Sequence, residues 1–327
     1  MDPRLSWHRE QWRQIQQRRS AGHLPHALLL VGPPGMGKGL FARRLARALL
    51  CEAPTAEGES CGQCRSCRLF QAGSHPDYSP VRPLEEGKVI KIDQVRELCA
   101  FLGYTAQYGG YKIALLEPAD RLNGNAANSL LKTLEEPLGA CLLLLVTAWP
   151  ARLPATVRSR CQRLSFGIPS PTLAVPWLAA RVTEGPDDPQ TLLDWAGGAP
   201  LAALAYADEG HWRWRRELAE GYEQVSVARA DPILVAESWL KESLTENLRW
   251  LIGWHTDLIR LKMNPEPPRL NNVDLGDMLR RWVDRYPLRV LFERLDAAIQ
   301  LYTLCTTTQA NAQLLLEAFL AGGADPC

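Results

Sequence analysis

A glycine-rich segment, residues 32–39 with the sequence GPPGMGKG, has the residue types that bind phosphate. It lies between an apolar run and a helical pattern, an order in which backbone N–H groups and the positive end of a helix face phosphate oxygens. In the pattern G-x-x-x-x-G-K-[ST], the lysine reaches the β- and γ-phosphates and the final hydroxyl binds Mg²⁺. Lys38 meets the first requirement, whereas Gly39 replaces the hydroxyl residue. The sequence predicts a degenerate phosphate loop and leaves nucleotide binding open; a glycine turn without a ligand is the alternative.

ATP hydrolysis also requires an acidic residue that positions Mg²⁺ and the attacking water. The candidate segment is IALLEPAD, residues 113–120, in which Glu117 ends a predicted strand. Pro118 follows, at the place where a catalytic acid is expected, and a proline side chain cannot accept a proton. Because the Mg²⁺ hydroxyl and this acid are both missing, we expect no intrinsic ATP turnover. The alternative is that Asp120 substitutes for the missing acid.

Four cysteines in residues 51–67 have the spacing of metal ligands. They follow the pattern C-x9-C-x2-C-x2-C, and each C-x2-C turn brings two thiolates to one ion. Four thiolates that leave no open position form a structural zinc site. An iron–sulfur cluster is the rival, but residues 68–71 lack the cysteine and proline that would continue its pattern. Free thiols are the remaining alternative. The predicted zinc ligands are Cys51, Cys61, Cys64 and Cys67.

Three arginines surround the start of the last predicted strand in the segment TVRSRCQRL: Arg158, Arg160 and Arg163. One interpretation is a solvated sheet edge, which often carries charge. The other is an arginine finger, a guanidinium that stabilises the γ-phosphate bound by a neighbouring subunit. Such a residue acts in trans, so the chain that contains it does not need a working nucleotide site of its own.

The composition is that of a globular protein with no global attraction for nucleic acid. The 327 residues carry a formal net charge of +1, so any contact with nucleic acid must come from a local patch. The N-terminal segment has no apolar signal core, and no apolar stretch has the length that a bilayer requires. We therefore expect a cytoplasmic chain without membrane contact, in which the nine cysteines bind metal or remain free thiols.

Short apolar runs alternate with helical patterns in the first half of the chain. Strands are predicted at residues 26–32, 111–120, 141–148 and 161–166, with a weaker strand at DYSPVRP. Helices are predicted after the glycine-rich loop, after Asp93 as an N-cap, and over residues 125–137, where Pro137 ends the helix. This alternation predicts a parallel sheet covered by helices on both faces.

The strand signal stops after residue 166, and the remaining patterns are helical. The sequence therefore predicts three domains. Residues 1–166 form an α/β domain with a phosphate loop and a zinc-binding insertion at 51–67, residues 167–207 form a small helical lid, and residues 208–327 form a helical C-terminal domain. The fold class is α/β followed by all-α.

Several segments within residues 26–166 resemble the bacterial clamp-loader family of AAA+ proteins. They are HALLLVGPPGMGKG, CGQCRSCRLFQAGSHPDY, IKIDQVREL, ANSLLKTLEEP and ATVRSRCQ. The resemblance implies a five-stranded AAA+ domain, a helical lid and a C-terminal collar that joins five subunits in a ring. It also implies a role in DNA replication, because these rings belong to the DNA polymerase III holoenzyme, a DNA-directed DNA polymerase complex.

The members of this family differ in whether they hydrolyse ATP. Motor subunits bind and hydrolyse ATP at subunit interfaces, and the departures at Gly39 and Pro118 match a non-catalytic member. Such a subunit would help to load a sliding clamp on primed DNA. The implied partners are the gamma/tau motor subunits, the delta subunit, the sliding clamp and primed DNA. The alternative is an active, ATP-hydrolysing motor subunit.

The resemblance also assigns roles to individual residues. Arg160 of the SRC triplet corresponds to the arginine finger that acts in trans, and Thr147 takes the place of the residue that senses the γ-phosphate. The four cysteines of residues 51–67 correspond to the zinc ligands. The implied nucleotide-binding set is degenerate and comprises Gly32, Gly35, Gly37, Lys38, Glu117 and Thr147.

Overall fold

The computed structural model describes residues 5–322 except 86–87, 109, 138, 184–187, 209–210, 242, 269 and 309. The chain divides into two compact units, Met1–Leu173 and Ala174–Cys327. The first unit contains the β-sheet, and the second is built from helices. The predicted fold class, α/β followed by all-α, is therefore confirmed. The finer division into domains that begin at residues 167 and 208 stays a prediction.

The sheet of the first unit has five strands in the order β2-β3-β4-β1-β5. Every neighbouring pair is parallel. The central strands β1 and β4 are buried along their whole length, because helices cover both faces of a parallel sheet. The strands are β1 Ala27–Val31, β2 Tyr78–Val81, β3 Lys112–Leu116, β4 Cys141–Thr147 and β5 Gln162–Ser165.

Helices cover this sheet on both faces. One face packs against α4 and α5 through a cluster that includes Leu29, Leu98 and Leu130. The alternate strand residues Leu28 and Leu30 point to the opposite face, as strand geometry requires, and are fully buried there. The helices of this half are α1 Arg9–Ser20, α2 Lys38–Leu50, α3 Arg65–Gln71, α4 Ile92–Gly103, α5 Gly124–Glu135 and α6 Ala155–Arg158. Short 3₁₀ turns occur at Ser6–His8, Ala119–Arg121 and Pro150–Arg152.

One predicted helix boundary was wrong. The predicted N-cap Asp93 lies inside α4, and Lys91 occupies the N-cap position. The Oε1 atom of Gln94 accepts a hydrogen bond from the Lys91 backbone N–H at 3.0 Å, which satisfies one of the free amides of the first turn. The backbone amide can thus be capped by the amide side chain three residues later, without an acidic residue at the N-cap.

The second unit has a continuous aromatic core. Trp239, Trp254 and Trp282 are fully buried, and all three pack around the ring of Tyr222. The helices are α7 Pro171–Ala179, α8 Pro189–Trp195, α9 Pro200–Asp208, α10 His211–Ser226, α11 Pro232–Trp239, α12 Leu244–Met263, α13 Gly276–Val283, α14 Leu288–Thr307 and α15 Ala312–Ala321. A 3₁₀ turn at Val273–Leu275 precedes α13. Among the described residues, none of the helices is both long enough and apolar enough to span a membrane.

Candidate functional site

The residues of the predicted nucleotide site meet at the carboxyl ends of neighbouring strands. Lys38 begins α2 after the loop that follows β1, Glu117 comes directly after β3, and Thr147 is the last residue of β4. Strand β4 pairs with both β1 and β3. Because parallel strands end at the same edge of a sheet, this edge is where a ligand of an α/β protein binds.

The glycines give the loop between β1 and α2 its shape. Gly35 and Gly37 have φ angles of 73° and 82°, in the left-handed region that favours glycine, and Gly37 is the N-cap of α2. At Gly32, an added Cβ would lie 2.2 Å from the backbone oxygen of Phe166. The loop between β1 and α2 therefore has a glycine where a Cβ would clash and two more where the backbone favours glycine.

The Lys38 ammonium group lies against its own loop. Its Nζ atom donates hydrogen bonds to the carbonyl oxygens of Gly32 at 2.7 Å and Pro33 at 2.6 Å. Burial lowers the pKa of Lys38 to about 8, while the nearby charges of Asp120 and Glu117 act in the opposite direction. Lys38 is thus held inside the loop, and it must leave these carbonyls before it can reach a phosphate.

The carboxylate of Glu117 occupies the space beside Gly39. A Cβ added to Gly39 would lie 1.7 Å from Glu117 Oε1 and 2.6 Å from its Cδ. The other oxygen, Oε2, accepts hydrogen bonds from Arg43 Nη1 at 2.6 Å and Arg82 Nη2 at 2.9 Å. Glu117 therefore fills the place of the missing serine or threonine side chain, and two arginines neutralise it. The departure at Gly39 and the side chain of Glu117 thus form one packed arrangement.

Thr147 and Asp120 form a second polar contact at this edge. The buried Thr147 hydroxyl donates to Asp120 Oδ1 at 2.5 Å and accepts a hydrogen bond from the backbone N–H of Trp149 at 2.9 Å. Both hydrogen-bonding roles of the hydroxyl are therefore satisfied within the chain. The negative charge of Asp120, the alternative catalytic acid, acts on Lys38 and raises its pKa. One of the Asp120 carboxylate oxygens already accepts the hydrogen bond from Thr147.

The segment before α1 packs over the phosphate loop. The indole N–H of Trp7 donates to the Met36 carbonyl at 3.1 Å, and the Nε2 atom of His8 lies 2.7 Å from the same oxygen. The His8 ring also packs edge-on against Phe41 and Phe166. Burial lowers the pKa of His8 to about 4, so the neutral ring donates from Nε2. This support for the loop was not predicted, because isolated Trp and His residues carry no pattern.

The four cysteines of residues 51–67 converge as predicted. Their sulfur atoms all lie within 4.8 Å of one another, and Cys51 Sγ is 3.9 Å from Cys64 Sγ. A regular tetrahedron with Zn–S bonds of about 2.3 Å has sulfur atoms about 3.8 Å apart. Backbone N–H groups of Gln63 and Cys64 lower the pKa of Cys61 to about 6, whereas burial raises that of Cys67 to about 12. The spacing and chemistry of these four sulfurs fit a metal ion, which would stabilise all four as thiolates.

The three candidate arginines have different surroundings. The Nη2 atom of Arg160 lies 2.5 Å from Glu135 Oε1, and its Nη1 atom donates to the carbonyl oxygen of Thr156 at 2.9 Å. Arg163 contacts Ser165 through Nε at 3.2 Å, and Arg158 is exposed at the end of α6. The Arg160 side chain keeps 35% of its surface exposed. Arg160 is therefore both oriented by its own chain and accessible from outside.

Comparisons with known proteins cover both halves of the chain. The family described as "DNA polymerase III, delta subunit" matches residues 7–169, and the family described as "DNA polymerase III, delta subunit, C terminal" matches residues 209–323. The DNA polymerase III subunit delta′ of Pseudomonas aeruginosa is 36% identical over 316 residues, which are 96% of this chain and 95% of that protein. Its counterpart in Escherichia coli is 34% identical over 315 residues, 96% of this chain and 93% of that protein. The chain belongs to the delta′ family.

A tau subunit, which lies outside the delta′ family, matches only part of the chain in sequence. The DNA polymerase III subunit tau of Bacillus subtilis is 34% identical over 141 residues, 43% of this chain and 24% of that protein. A solved DNA polymerase III gamma subunit-related protein from Thermotoga maritima aligns with 95% of this chain and 98% of its own length at 18% identity and a TM-score of 0.47. The predicted clamp-loader family is confirmed, and within it the match to delta′ proteins spans nearly the whole chain.

The sequence did not reveal that two arginines, Arg43 and Arg82, bind Glu117. Arg43 lies in α2 and Arg82 directly follows β2, so 74 and 35 residues separate them from Glu117. The one available signal was the pair of departures at Gly39 and Pro118. A glycine in place of the hydroxyl residue leaves the volume of that side chain to a neighbouring group, but the sequence does not identify the group.

Proposed function

We propose that this chain is the non-catalytic delta′ subunit of a bacterial DNA polymerase III clamp loader. In this role it helps to load the sliding clamp on primed DNA and supplies an arginine finger to a neighbouring ATPase subunit. One observation carries the proposal: the carboxylate of Glu117 fills the space beside Gly39 and is bound by two arginines. In this proposal the chain's own nucleotide site lacks the Mg²⁺ hydroxyl, and its acidic residue is bound by arginines.

The arrangement around Glu117 is the physical basis for the expected lack of ATP hydrolysis by the chain itself. A productive phosphate loop needs a hydroxyl for Mg²⁺ and a carboxylate that is free to orient water. Gly39 offers no hydroxyl, and the Oε2 atom of Glu117 already accepts hydrogen bonds from Arg43 and Arg82. Lys38 also bonds to the loop carbonyls. The Lys38 ammonium and the Glu117 carboxylate are thus both already hydrogen-bonded within the chain, Lys38 to loop carbonyls and Glu117 to two arginines. ATP binding to the degenerate loop stays open within the proposal.

Arg160 is the group that this subunit contributes to catalysis. A guanidinium that reaches the γ-phosphate of a neighbouring site stabilises the charge of the transition state and raises turnover by about 10³–10⁵. Arg160 meets the requirements of such a residue, because it is partly exposed and its guanidinium has a defined orientation. The neighbour in the proposal is a gamma/tau motor subunit.

The metal in this proposal is a structural Zn²⁺. Cys51 follows the last residue of α2, Cys64 is the N-cap of α3, and Cys67 lies in the first turn of that helix. An ion bound by these residues and Cys61 would join the end of the phosphate-loop helix to α3. Because four thiolates leave no coordination position open, the ion would stabilise the fold and take no part in hydrolysis.

The partners and location in the proposal follow from the same assignment. The subunit joins the gamma/tau and delta subunits in a ring, and contacts the sliding clamp and primed DNA as part of that complex. The helices of residues 208–327 form the collar, and those of residues 167–207 form the lid. The complex is cytoplasmic and makes no membrane contact.

A second candidate is an active motor subunit that hydrolyses ATP. The retained glycine frame and Lys38 favour it, since both have the geometry of a phosphate loop. In that case Glu117 would have to leave Arg43 and Arg82 when Mg²⁺-ATP binds. The two candidates differ in whether Lys38 is needed for turnover by this chain alone.

The experiment on Arg160 tests the proposed function in the reconstituted clamp loader. We expect Arg160→Ala to slow single-turnover hydrolysis at one motor site per ring by about 10³-fold or more, while the variant still assembles. The matched control is Arg158→Ala, which removes an exposed guanidinium two residues earlier. Unchanged hydrolysis with Arg160→Ala in a fully assembled ring would show that this chain supplies no arginine finger.

A further inference from the structure

Glu135 makes a direct contact with the guanidinium of Arg160. Its Oε1 atom lies 2.5 Å from Arg160 Nη2, and the Thr156 carbonyl accepts from Nη1 at 2.9 Å. We propose that Glu135 is the positioning residue for Arg160, and that it holds the guanidinium in the orientation from which it reaches a phosphate on a neighbouring subunit. This inference rests on the proposed function, because it concerns the arginine that acts in trans.

The two contacts leave Arg160 able to bind a phosphate. A guanidinium has five N–H donors in a fixed planar fork. Glu135 uses one donor on Nη2 and Thr156 uses one on Nη1, so among the described residues three donors are left for an anion. The contact with Glu135 therefore orients the guanidinium and leaves most of its donors for a phosphate.

Both acceptors lie on anchored parts of the first unit. Glu135 is the last residue of α5, next to Leu134, which is buried in the core under the sheet. Thr156 lies in α6, next to Val157, which is buried in the same cluster. An acceptor on a rigid element fixes the direction of a long side chain and removes its conformational freedom before the phosphate arrives.

Glu135 acts by orienting the Arg160 guanidinium, and its negative charge contributes less to this role. The Glu135 side chain is 50% exposed, so water and salt screen its charge. A glutamine at this position keeps an oxygen that accepts from Nη2 and loses only the charge, whereas an alanine loses the acceptor. The conservative variant therefore separates a positioning role from an electrostatic one.

The test uses the reconstituted clamp loader with Glu135→Ala, Glu135→Gln and the control Glu136→Ala, which removes the exposed carboxylate of the next residue. We expect Glu135→Ala to slow single-turnover hydrolysis at the adjacent motor site by about 10- to 100-fold, with the KM for ATP changed less than about twofold. Glu135→Gln should stay within about threefold of the unmodified loader, and the control should match it. Combining Glu135→Ala with Arg160→Ala should slow hydrolysis no more than Arg160→Ala alone.

Two results would overturn the inference while the proposed function stands. One is a normal rate with Glu135→Ala in a loader that Arg160→Ala slows. The other is a Glu135→Gln loader as slow as the Glu135→Ala loader, which would mean that charge is the essential property. If Arg160→Ala leaves the rate unchanged, the proposed function fails first, and the inference fails with it.

Discussion

Replacing Gly39 by alanine tests whether Glu117 occupies the place of the missing hydroxyl residue. Gly39 is the second residue of α2, where alanine is ordinarily the more stable residue by about 0.5–1 kcal/mol. Its new Cβ would lie 1.7 Å from Glu117 Oε1, so the carboxylate has to move. The movement separates Glu117 from Arg43 and Arg82, which lie 2.6 and 2.9 Å away.

The expected free-energy change follows from the exposure of these three side chains. Charge-assisted hydrogen bonds contribute about 1.5–3 kcal/mol when buried. Arg82 is 59% exposed and contributes little, whereas Arg43 and Glu117 are 35% and 21% exposed. We therefore expect a loss of about 1–2 kcal/mol, discounted from the buried value. With the midpoints of both ranges, the gain from alanine offsets half of this loss, and Gly39→Ala should lower the free energy of unfolding by about 0.75 kcal/mol.

The same substitution should change sign in a Glu117→Ala background. With the carboxylate absent, only the helix-propensity gain remains, so Gly39→Ala should stabilise that variant by about 0.5–1 kcal/mol. Urea denaturation of all four proteins completes the double-mutant cycle, with an expected coupling of about 1–2 kcal/mol. The control is Gly124→Ala, at the first residue of α5, where an added Cβ has open space. Equal stabilisation by Gly39→Ala in both backgrounds would refute the packing described for Glu117.

Three further predictions concern the metal, pH and the polar contact at the end of β4. Elemental analysis should find about one zinc per chain, lost in Cys64→Ser; an iron chromophore would contradict the assignment. Burial lowers the pKa of His8 and of His255 to about 4. The unfolded chain therefore binds more protons between pH 6.5 and 4, and the free energy of unfolding should fall as pH falls through this range, by up to about 1.4 kcal/mol per histidine per pH unit. Urea denaturation at constant salt measures this slope. A free energy of unfolding that does not change between pH 6.5 and 4 would contradict the lowered pKa values of the two histidines. Thr147→Val should lower the free energy of unfolding by about 1–3 kcal/mol, because Asp120 and the Trp149 N–H both lose a hydrogen-bond partner. Thr147→Ser keeps the hydroxyl and should lower the free energy of unfolding clearly less in the same assay.

The sequence predicted those features whose residues are close together in the chain. The phosphate loop and the cysteine cluster were both found from local patterns, since a turn or a C-x2-C spacing fixes the geometry over a few residues. The alternation of apolar runs and helical patterns was enough for the parallel sheet, because helix and strand periodicities differ. The place of the N-cap of α4 was missed, because Lys91 is not a typical N-cap residue and its backbone amide is capped by Gln94.

The contacts that close the nucleotide site could not be predicted, because they join distant residues. Glu117 was identified as the last acidic residue of a strand, but its arginine partners come from α2 and from the loop after β2. The contact between Glu135 and Arg160 likewise joins residues 25 positions apart. One sequence contains no information on which arginine meets which carboxylate until the order of the strands is known.

Steady-state phosphate release by the isolated chain tests the central claim most directly. The chain is incubated with Mg²⁺-ATP and primed DNA, and a Lys38→Ala variant serves as the control. We expect no turnover above background and no difference between the two proteins, because Gly39 supplies no hydroxyl for Mg²⁺ and Glu117 is bound by Arg43 and Arg82. Sustained phosphate release that Lys38→Ala abolishes would contradict the claim and identify an active motor subunit.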